Sequence, residues 1–497
     1  MGKNSITIED VLNKLKVKRT SQREALIRSA YEFSLMAHAG QKRKSGEDYI
    51  QHALHTALNI AKMGMGSKTI AAGLLHDVPE DTTYTLDEVE KKFGPEVAFM
   101  VNGVTKLGKI KLRGTKEEYY LENLRKMFLA MASDIRVVII KLADRLHNME
   151  TLSALPEDKQ KRIALETMEV FTPIANRLGI GEVKGALEDL SFKHLDRENY
   201  DKIRKIQEEE YAQRKKYLDR AVVELRKELT NDGIKVLDIF GRSKHLFRLF
   251  QKLKKHDMDI NKIYDLIGVR IILPDISDCY AALGIVHKKY RPLVGRIKDY
   301  VSLPKPNGYQ SIHTTVFGPE GKIMEVQLRT RQMDDEAEFG IAAHWIYSDK
   351  NQQSLRHLIF GNKGKDKLKV PEKELAWVKQ LQDWQNELGK DDAEFIESLK
   401  IDFFKNHIFA FTPQGDVIDL PEDSTPIDFA YKLHSSIGNR ATGAKADGKM
   451  VTLDYKIKNG QVIEILTVKE NKKPSRDWLM FVRTSLAKSQ IKKAFKK

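Results

Sequence analysis

The chain has 497 residues and a formal net charge of +15, with 31% charged and 41% hydrophobic residues. This length predicts three or four domains, and the composition is that of an ordinary globular protein. The single cysteine excludes an intramolecular disulfide framework. The sequence contains neither an apolar signal segment at Met1–Asp10 nor an apolar run of 18 residues, so we expect a cytoplasmic protein.

Residues 1–200 are predicted to be almost wholly helical, because apolar residues recur at three- and four-residue spacing. Within this region, the apolar run at 70–75 leads directly into the adjacent pair His76-Asp77. Pro79 is expected to end or kink that helix. The acids Glu80-Asp81 would then lie on an irregular turn beside the pair, where they are free to handle protons.

Two more polar residues, His52 and Asp144, also lie against apolar helical segments. Each of them alone would more often be an ordinary residue of a protein core. Together with His76 and Asp77, however, they suggest one shared partner, because buried charges are costly unless they are paired or bound to metal. Imidazole and carboxylate ligands suit a divalent transition metal such as Mn²⁺, Fe²⁺ or Zn²⁺. Upstream, the basic turn 42–46 would suit a phosphorylated substrate.

These segments resemble a known family. The two histidines and two aspartates resemble the ligand set of the HD metal-phosphohydrolases, and segments 43–46, 76–82 and 142–149 are similar to the hydrolase of the Rel/SpoT (p)ppGpp synthetase/hydrolase family. The resemblance implies Mn²⁺ on those four ligands. It further implies Glu80 and Asp81 for the water and its protons, and Arg43, Lys44 and Asn148 for the nucleotide. Pro79 and Glu150 depart from the family pattern, which has an aliphatic residue and an arginine there.

The composition changes after residue 200. Residues 201–229 are strongly charged and predict a linking helix, and 234–239 alternate like a strand. The segment 241–245 is then expected to open another helix. Glycine and clustered cations at a helix N-terminus favour phosphate binding, and Lys252 lies two turns along the same face.

Two further strands are predicted at 263–272 and 322–329. The second alternates cleanly and places Glu325, Gln327 and Arg329 on one face of a sheet. With Asp265 on the first strand, each strand supplies one acid, which is an arrangement that holds Mg²⁺ over a triphosphate. A turn between the strands presents a tyrosine on which a base could stack.

These segments resemble the synthetase of the same family, a nucleotidyltransferase-like α/β domain that moves pyrophosphate from ATP to the 3′-hydroxyl of GDP or GTP. The resemblance implies Mg²⁺ on Asp265 and Glu325, with Asp265 also activating the 3′-hydroxyl. It implies that Tyr309 stacks on guanine and that the ATP phosphates are bound by Arg242, Lys244 and Lys252. Around the acceptor it implies Lys305, Asn307 and His313. Two further residues, Arg270 and Lys298, are also implied to contact the nucleotides. Phe247-Arg248 replaces the usual Tyr-Ser, and Arg296–Asp299 matches the Arg-x-Lys-Asp signature of bifunctional members.

A polar linker and a short helix with Trp377 and Trp384 are predicted at 347–400. Residues 401–467 contain hairpin signals at 412–416 and 446–449 and resemble a TGS domain, a β-grasp module. The resemblance implies that His434 reads the 3′ end of tRNA.

The segment 468–497 predicts the start of a basic helical region. From Lys469 onward it has ten Lys/Arg against two acids, with apolar and aromatic residues between them. Such a helix suits an RNA backbone, so tRNA or the ribosome is an expected partner. The chain stops inside the helical pattern with no C-cap signal, and we therefore expect a truncated chain.

The sequence thus predicts a multidomain protein with an all-α HD hydrolase domain (1–200), an α/β synthetase domain with its linking helix (201–346), a linker (347–400), a β-grasp TGS domain (401–467) and a basic helical region (468–497). The predicted function is a bifunctional enzyme that makes and hydrolyses (p)ppGpp at two separate sites. Two alternatives remain open, namely an HD-class phosphohydrolase of other nucleotides with a degenerate synthetase domain, and a tRNA- or ribosome-associated sensor with vestigial catalytic domains.

Overall fold

The computed structural model describes residues 5–16, 19–108, 127, 130, 134–243, 245–263, 267–305, 308–343, 407–468 and 473–495. The chain divides into two compact units, Met1–Gln382 and Asp383–Lys497. Over the described ranges, none of the helices is both long enough and apolar enough to cross a bilayer. The linker predicted at 347–400, with Trp377 and Trp384, lies outside the described residues.

Over its described residues, the N-terminal part of the first unit is helical, as predicted for residues 1–200. Its helices are α1 (Ile8–Asn13), α2 (Ser21–Ala37), α3 (Tyr49–Lys62), α4 (Ser67–Leu75), α5 (Val78–Asp81), α6 (Leu86–Phe93), α7 (Pro95–Gly108), α8 (Ile135–Glu150), α9 (Glu157–Glu166), α10 (Thr172–Arg177), α11 (Gly181–Leu195) and α12 (Arg197–Asn231). Helices α3, α4 and α8 pack against one another through buried aliphatic residues. Their polar positions therefore face a common interior.

Proline 79 does not act as the sequence predicted. Helix α4 ends at Leu75, and Pro79 lies in the first turn of the short helix α5. The prediction that Glu80-Asp81 lie on an irregular turn is wrong, because both belong to α5. A proline in the first turn costs no hydrogen bond, since the N–H groups there have no acceptor within the helix. The chain bends instead at His76-Asp77, between the two helices.

A five-stranded sheet with the order β1-β2-β5-β4-β3 forms the other half of the first unit. Strands β2 and β5 are parallel and the other neighbours are antiparallel. The elements are β1 (Asp238–Ser243), α13 (Leu246–Lys255), β2 (Ile267–Leu273), α14 (Ile276–Lys289), β3 (Lys298–Asp299), β4 (Ile312–Phe317), β5 (Ile323–Thr330) and α15 (Arg331–Phe339). The predicted linking helix is confirmed as α12, whose buried Leu218 and Leu225 belong to the core of the sheet.

The strand predicted at 234–239 is displaced in the structure. Strand β1 begins at Asp238, and its register with β2 runs from Asp238↔Ile272 to Ser243↔Ile267. The segment 241–243, expected to open a helix, therefore lies within the strand. A Cβ on Gly241 would lie 2.3 Å from Leu218 Cδ2. This glycine thus permits close packing of the strand against α12 rather than a phosphate loop.

The second unit contains both predicted hairpins. Its elements are β6 (His407–Phe411), β7 (Val417–Pro421), α16 (Pro426–Leu433), α17 (Ser435–Arg440), β8 (Ala441–Ala446), β9 (Lys449–Val451), β10 (Ile463–Thr467) and α18 (Ser485–Phe495). Strands β6 and β7 pair antiparallel, and so do β8 and β9. The turn between β8 and β9 has positive φ at both Asp447 (51°) and Gly448 (79°), as two-residue hairpin loops require.

Within the described part of the predicted basic helical region, Ser485–Phe495 forms α18, which packs into this unit. In α18 and just before it, Val482, Ala487 and Ile491 are buried in one cluster with Ile427 and Tyr431 of α16. The charged residues of α18 therefore lie on a helix that is fixed by an apolar face.

Asp428→Asn is expected to loosen α18. The buried Asp428 carboxylate accepts hydrogen bonds from the amide and hydroxyl of Thr425, from the Arg483 amide, and from the amide and hydroxyl of Thr484. An asparagine amino group would oppose several of these donors and leave them unsatisfied, at about 1–3 kcal/mol each. We expect hydrogen exchange of the α18 amides in the full chain to accelerate ~10-fold or more. The exposed Asp454→Asn is the control, and equal exchange in both variants would contradict this role.

Candidate active sites

Three elements of the first unit bring the predicted metal ligands together. Helix α3 carries His52, the bend between α4 and α5 carries His76 and Asp77, and α8 carries Asp144. His52 Nε2 lies 3.4 Å from Asp77 Oδ2 and 3.2 Å from Asp144 Oδ1. His76 Nε2 lies 3.1 Å from Asp77 Oδ2 and 3.8 Å from Asp144 Oδ1. Residues 92 positions apart in sequence thus converge on one point.

The orientation of His76 fits a metal ligand. Its Nδ1 donates a hydrogen bond to the Gly73 carbonyl at 2.8 Å, so Nε2 is the atom directed at the carboxylates. This Nε2 is buried and has no hydrogen-bond partner among the described residues. Ligand atoms of His52, His76 and Asp144 lie within 4.8 Å of one another. Two imidazoles and carboxylates around a buried unpartnered nitrogen are a donor set suited to a divalent transition metal.

The charge states of the clustered side chains also favour a bound cation. Burial by itself would raise the pKa of Asp77 and Asp144. The neighbouring His76 and His52 nevertheless hold the pKa of Asp77 well below its usual range. Lys141 and the same two histidines do so for the pKa of Asp144. Burial opposes charge on His76, yet the two aspartates raise its pKa to about 10. A cation that binds here would therefore displace a proton from His76.

Tyr49, which is not among the predicted site residues, links the predicted metal ligand Asp77 to the predicted catalytic acid Asp81. Its hydroxyl lies 2.8 Å from Asp77 Oδ2 and 2.6 Å from Asp81 Oδ2. Burial and these aspartates raise the pKa of Tyr49, so the phenol keeps its proton. Glu80 is exposed on α5. A tyrosine three residues before a histidine ligand, on the adjacent helical turn, was the available signal.

The residues predicted to face the nucleotide differ in their surroundings. Lys44 is exposed, whereas the Arg43 guanidinium contacts Asn148, His147, Thr151 and Glu47. Asn148 in turn donates to Asp144 Oδ1 at 2.6 Å. Arg43 and Asn148 thus lie next to Asp144, one of the predicted metal ligands.

A second group of side chains lies next to this cluster. Ligand atoms of His55, His147 and Glu150 also lie within 4.8 Å of one another. The rings of His55 and His147 stack at 4.4 Å, and His147 Nδ1 lies 2.8 Å from His52 Nδ1. Burial, followed by the effects of His52, His55 and Arg43, lowers the pKa of His147 to about 2. His147 is therefore a neutral imidazole.

The sheet carries a second site, built around Glu325. The alternation of β5 places Glu325, Gln327 and Arg329 on one face, as predicted, and Gln327 Nε2 donates to Glu325 Oε2 at 2.8 Å. His313 on β4 donates from Nδ1 to Glu325 Oε1 at 3.1 Å, and the Tyr309 hydroxyl lies 2.6 Å from His313 Nε2.

Arg329 begins a directional chain of hydrogen bonds in this second site. Because arginine can only donate, its Nη2 donates to the Tyr309 oxygen, and the Tyr309 hydroxyl donates to His313. Burial lowers the pKa of His313, which favours the neutral ring that accepts on Nε2 and donates from Nδ1. The chain ends on the Glu325 carboxylate. The alternation along β5 predicts the face on which Arg329 lies, but not its hydrogen bond to Tyr309.

The predicted cations of the second site have varied surroundings. Arg270 is buried and pairs with Asp334 at 2.9 Å and Glu338 at 2.6 Å, and Arg242 lies 3.8 Å from Glu338. Lys305 Nζ lies 5.1 Å from the Tyr309 ring centroid. Lys252 is on α13 and Lys298 is exposed on β3. Lys244, Asp265 and Asn307 lie outside the described residues.

Arg248, which stands where the resembled family has serine, is paired with a neighbouring helix. Its Nε lies 3.2 Å from Glu188 Oε2 on α11. Glu188 also lies 3.6 Å from Lys184. Arg248 thus joins α13 to α11.

Three family models match the chain. They are the HD domain over residues 30–181, the region found in RelA / SpoT proteins over 241–352, and the TGS domain over 408–467. The "GTP pyrophosphokinase" of Myxococcus xanthus is 44% identical over 469 residues, which are 94% of this chain and 60% of that protein. The "Guanosine-3′,5′-bis(diphosphate) 3′-pyrophosphohydrolase" of Aquifex aeolicus is 43% identical over 493 residues, 99% of this chain and 67% of that protein.

The chain belongs to the RelA/SpoT family. The "Bifunctional (p)ppGpp synthase/hydrolase RelA" of Mycobacterium tuberculosis is also similar, at 45% identity over 475 residues, 95% of this chain and 63% of that protein. The chain spans about 60% of the length of the M. xanthus relative. The three matches confirm the predicted fold class of an HD domain, a synthetase domain and a TGS domain. The HD match and the His/Asp cluster together indicate a site for a divalent metal.

In this RelA/SpoT chain, His434 is an exposed residue of the TGS unit. It is the N-cap of α17, and its Nδ1 accepts a hydrogen bond from the Ser436 amide at 3.2 Å. The ring is therefore held in one orientation at the surface. The role in reading tRNA stays a prediction.

Proposed function

We propose that this chain both hydrolyses and makes (p)ppGpp. The hydrolase acts at the His/Asp cluster and releases pyrophosphate together with GDP or GTP. The synthetase acts at the Glu325 site and transfers pyrophosphate from ATP to the 3′-hydroxyl of GDP or GTP. The observation that carries the proposal is the presence of two separate polar constellations, one in the region of the HD match and one in the region of the RelA/SpoT match.

In the hydrolase, His52, His76, Asp77 and Asp144 would hold Mn²⁺. When bound, the ion would lower the pKa of a water and neutralise charge on the pyrophosphate group that the water attacks. Glu80 and Asp81 are the proposed groups that remove a proton from the attacking water and return one to the 3′-oxygen as the bond from phosphorus to that oxygen breaks. Asp81 is held beside Asp77 through the shared Tyr49 hydroxyl.

In the synthetase, Glu325 and Asp265 would hold Mg²⁺ over the ATP phosphates, and Asp265 would help activate the 3′-hydroxyl. Arg242, Lys244 and Lys252 are proposed to bind the ATP phosphates, and Lys298 to contribute further positive charge. The charge of the buried Arg270, which was predicted to contact the nucleotide, is compensated by Asp334 and Glu338. Tyr309 would stack on guanine, with Lys305, Asn307 and His313 around the acceptor. The Arg329–Tyr309–His313 chain supports this assignment, because it fixes the stacking ring relative to the Glu325 carboxylate. Transfer of this kind depends on charge neutralisation and in-line positioning.

The TGS unit and α18 are proposed to contact tRNA or the ribosome. An exposed His434 with a fixed ring and a basic helix anchored by its apolar face support this partner. Phosphate contacts of lysines and arginines are salt-sensitive, so binding should weaken as salt increases.

Incubation of the purified chain with two substrate sets tests the proposal. ATP and GDP with Mg²⁺ should yield ppGpp and AMP, and ppGpp with Mn²⁺ should yield GDP and pyrophosphate. Chelation should stop the second reaction, and Mn²⁺ should restore it. Hydrolysis without any synthesis would favour a nucleotide phosphohydrolase with a degenerate second domain.

The proposed stacking role of Tyr309 predicts different results for two substitutions. Tyr309→Ala removes the ring and should raise the KM for GDP roughly 10- to 100-fold, because stacking of one base is worth about 1–3 kcal/mol. Tyr309→Phe keeps the ring and loses the bonds to Arg329 and His313, so its KM should rise much less. Steady-state kinetics of ppGpp synthesis measure both. Equal damage in the two variants would assign the effect to the hydroxyl.

A further inference from the structure

We propose that Arg43 is a positioning residue of the metal centre, in addition to its expected contact with the nucleotide. Through two neighbours it fixes the orientation of one histidine ligand and one aspartate ligand. The inference rests on the proposed hydrolase site. It is carried by the direction of hydrogen bonds, which follows from the fact that a guanidinium group can donate but cannot accept.

The first branch passes through His147. Arg43 Nη1 lies 3.1 Å from His147 Nδ1, and His52 Nδ1 lies 2.8 Å from the same nitrogen. Since Arg43 can only donate, His147 Nδ1 must accept and carries no proton. His52 Nδ1 must then be the donor. A neutral His52 therefore has its lone pair on Nε2, the atom that faces Asp77 and Asp144.

His147 supports His52 and is not itself a metal ligand. With two donors at Nδ1, its ring proton must be on Nε2, which lies 4.0 Å from Glu47 Oε1. A protonated nitrogen offers no lone pair to a cation. The adjacent group of His55, His147 and Glu150 is thus a support behind His52, held by the stacked rings of His55 and His147.

The second branch passes through Asn148. Arg43 Nη2 donates to Asn148 Oδ1, and this bond fixes the amide so that its Nδ2 faces Asp144 on the same helix. Asn148 Nδ2 then donates to Asp144 Oδ1 at 2.6 Å, while Lys141 Nζ donates to Asp144 Oδ2 at 2.7 Å. Both carboxylate oxygens are thereby oriented, and Oδ1 is the one that lies 3.2 Å from His52 Nε2.

Arg43 is itself held by neighbouring groups of the protein. Its side chain is 17% exposed and contacts Glu47 Oε1 at 3.4 Å and Thr151 Oγ1 at 3.3 Å. The Arg43 amide donates to the Glu47 carbonyl at 2.9 Å across a tight turn in which Gly46 has a φ of 86°. These protein contacts orient the guanidinium, as a role toward the metal requires.

Arg43→Lys tests the proposal in protein free of nucleotide. A lysine has all its donors on one nitrogen and lacks the planar fork with which Arg43 reaches His147 from Nη1 and Asn148 from Nη2. We expect its affinity for Mn²⁺, measured by calorimetric titration of the chelator-treated full chain, to fall roughly 10- to 100-fold, as when outer-sphere partners of metal ligands are lost. Lys44→Gln is the matched control, because Lys44 is exposed and should affect only the KM for ppGpp. Unchanged Mn²⁺ affinity in Arg43→Lys would overturn the proposal.

A second pair of variants isolates the His147 branch. His147→Asn places an amide oxygen near the former Nδ1 and should still accept from His52, whereas His147→Leu cannot. Mn²⁺ affinity should therefore stay close to that of the parent in the first and fall in the second, with folding checked by circular dichroism. Equal affinities in the two would remove this branch. The titration needs no turnover, so it tests the positioning role independently of the reaction. If the variants show the expected Mn²⁺ affinities but the parent chain does not hydrolyse ppGpp, the proposed function is refuted and the positioning role is retained.

Discussion

Asp77→Ala should abolish hydrolysis of ppGpp and leave synthesis at the rate of the parent chain. Asp77 Oδ2 is the atom on which His52, His76 and the Tyr49 hydroxyl converge, at 3.4, 3.1 and 2.8 Å. Its loss removes a proposed metal ligand and leaves buried imidazoles without their counter-charge, which costs several kcal/mol. The Glu325 site uses none of these atoms. Release of pyrophosphate from ppGpp and formation of ppGpp, measured on the same preparation, report the two effects.

The control for this prediction is a change that spares the metal. Glu80 is exposed on α5, and Glu80→Gln should lower hydrolysis roughly 10²- to 10⁴-fold if Glu80 transfers a proton, while Mn²⁺ still binds. Loss of metal in Asp77→Ala but not in Glu80→Gln separates ligation from proton transfer. Full ppGpp hydrolysis by Asp77→Ala, or by chelated protein, would refute the assignment of the site.

The predictions that agree with the structure are those that depend on local periodicity and residue chemistry. His52, His76-Asp77 and Asp144 each lie against apolar helical residues, and a common interior follows once those faces pack together. The alternation along β5 likewise places Glu325 and Gln327 on one face. In both cases the sequence pattern contains the spacing that sets the geometry.

The predictions that failed depend on partners distant in the sequence. Strand β1 begins at Asp238 because its pairing with β2 and the approach of Gly241 to Leu218 decide its position, and neither is visible in the alternation of 234–239. Pro79 was expected to disrupt a helix, but the preceding helix had already ended at Leu75. The contacts of Arg43 with Asn148 and His147 span about 100 residues, so no local pattern could indicate them.

Glu325→Gln is expected to lower ppGpp synthesis by at least roughly 10²- to 10³-fold and to spare hydrolysis. The substitution keeps the size of the side chain and an acceptor for one of its two donors, His313 or Gln327, but removes the negative charge that would hold Mg²⁺ over the ATP phosphates. A neutral amide is a much poorer ligand for this hard cation. The rate of AMP formation from ATP and GDP measures the loss.

The control for Glu325→Gln is Glu320→Gln, which changes an exposed acid in the turn before β5 and should leave both reactions unchanged. Together with Asp77→Ala, the two active-site variants make a reciprocal test, because each should silence one reaction alone. The parallel pairing of β2 with β5 places Glu325 opposite Gly268, near the N-terminal end of β2. The predicted partner acid, Asp265, precedes that end of the strand in the sequence. A Glu325→Gln protein that folds normally yet loses both reactions would show that one shared site carries both activities. Full synthesis by that variant would mean that the catalytic acid lies elsewhere on the sheet.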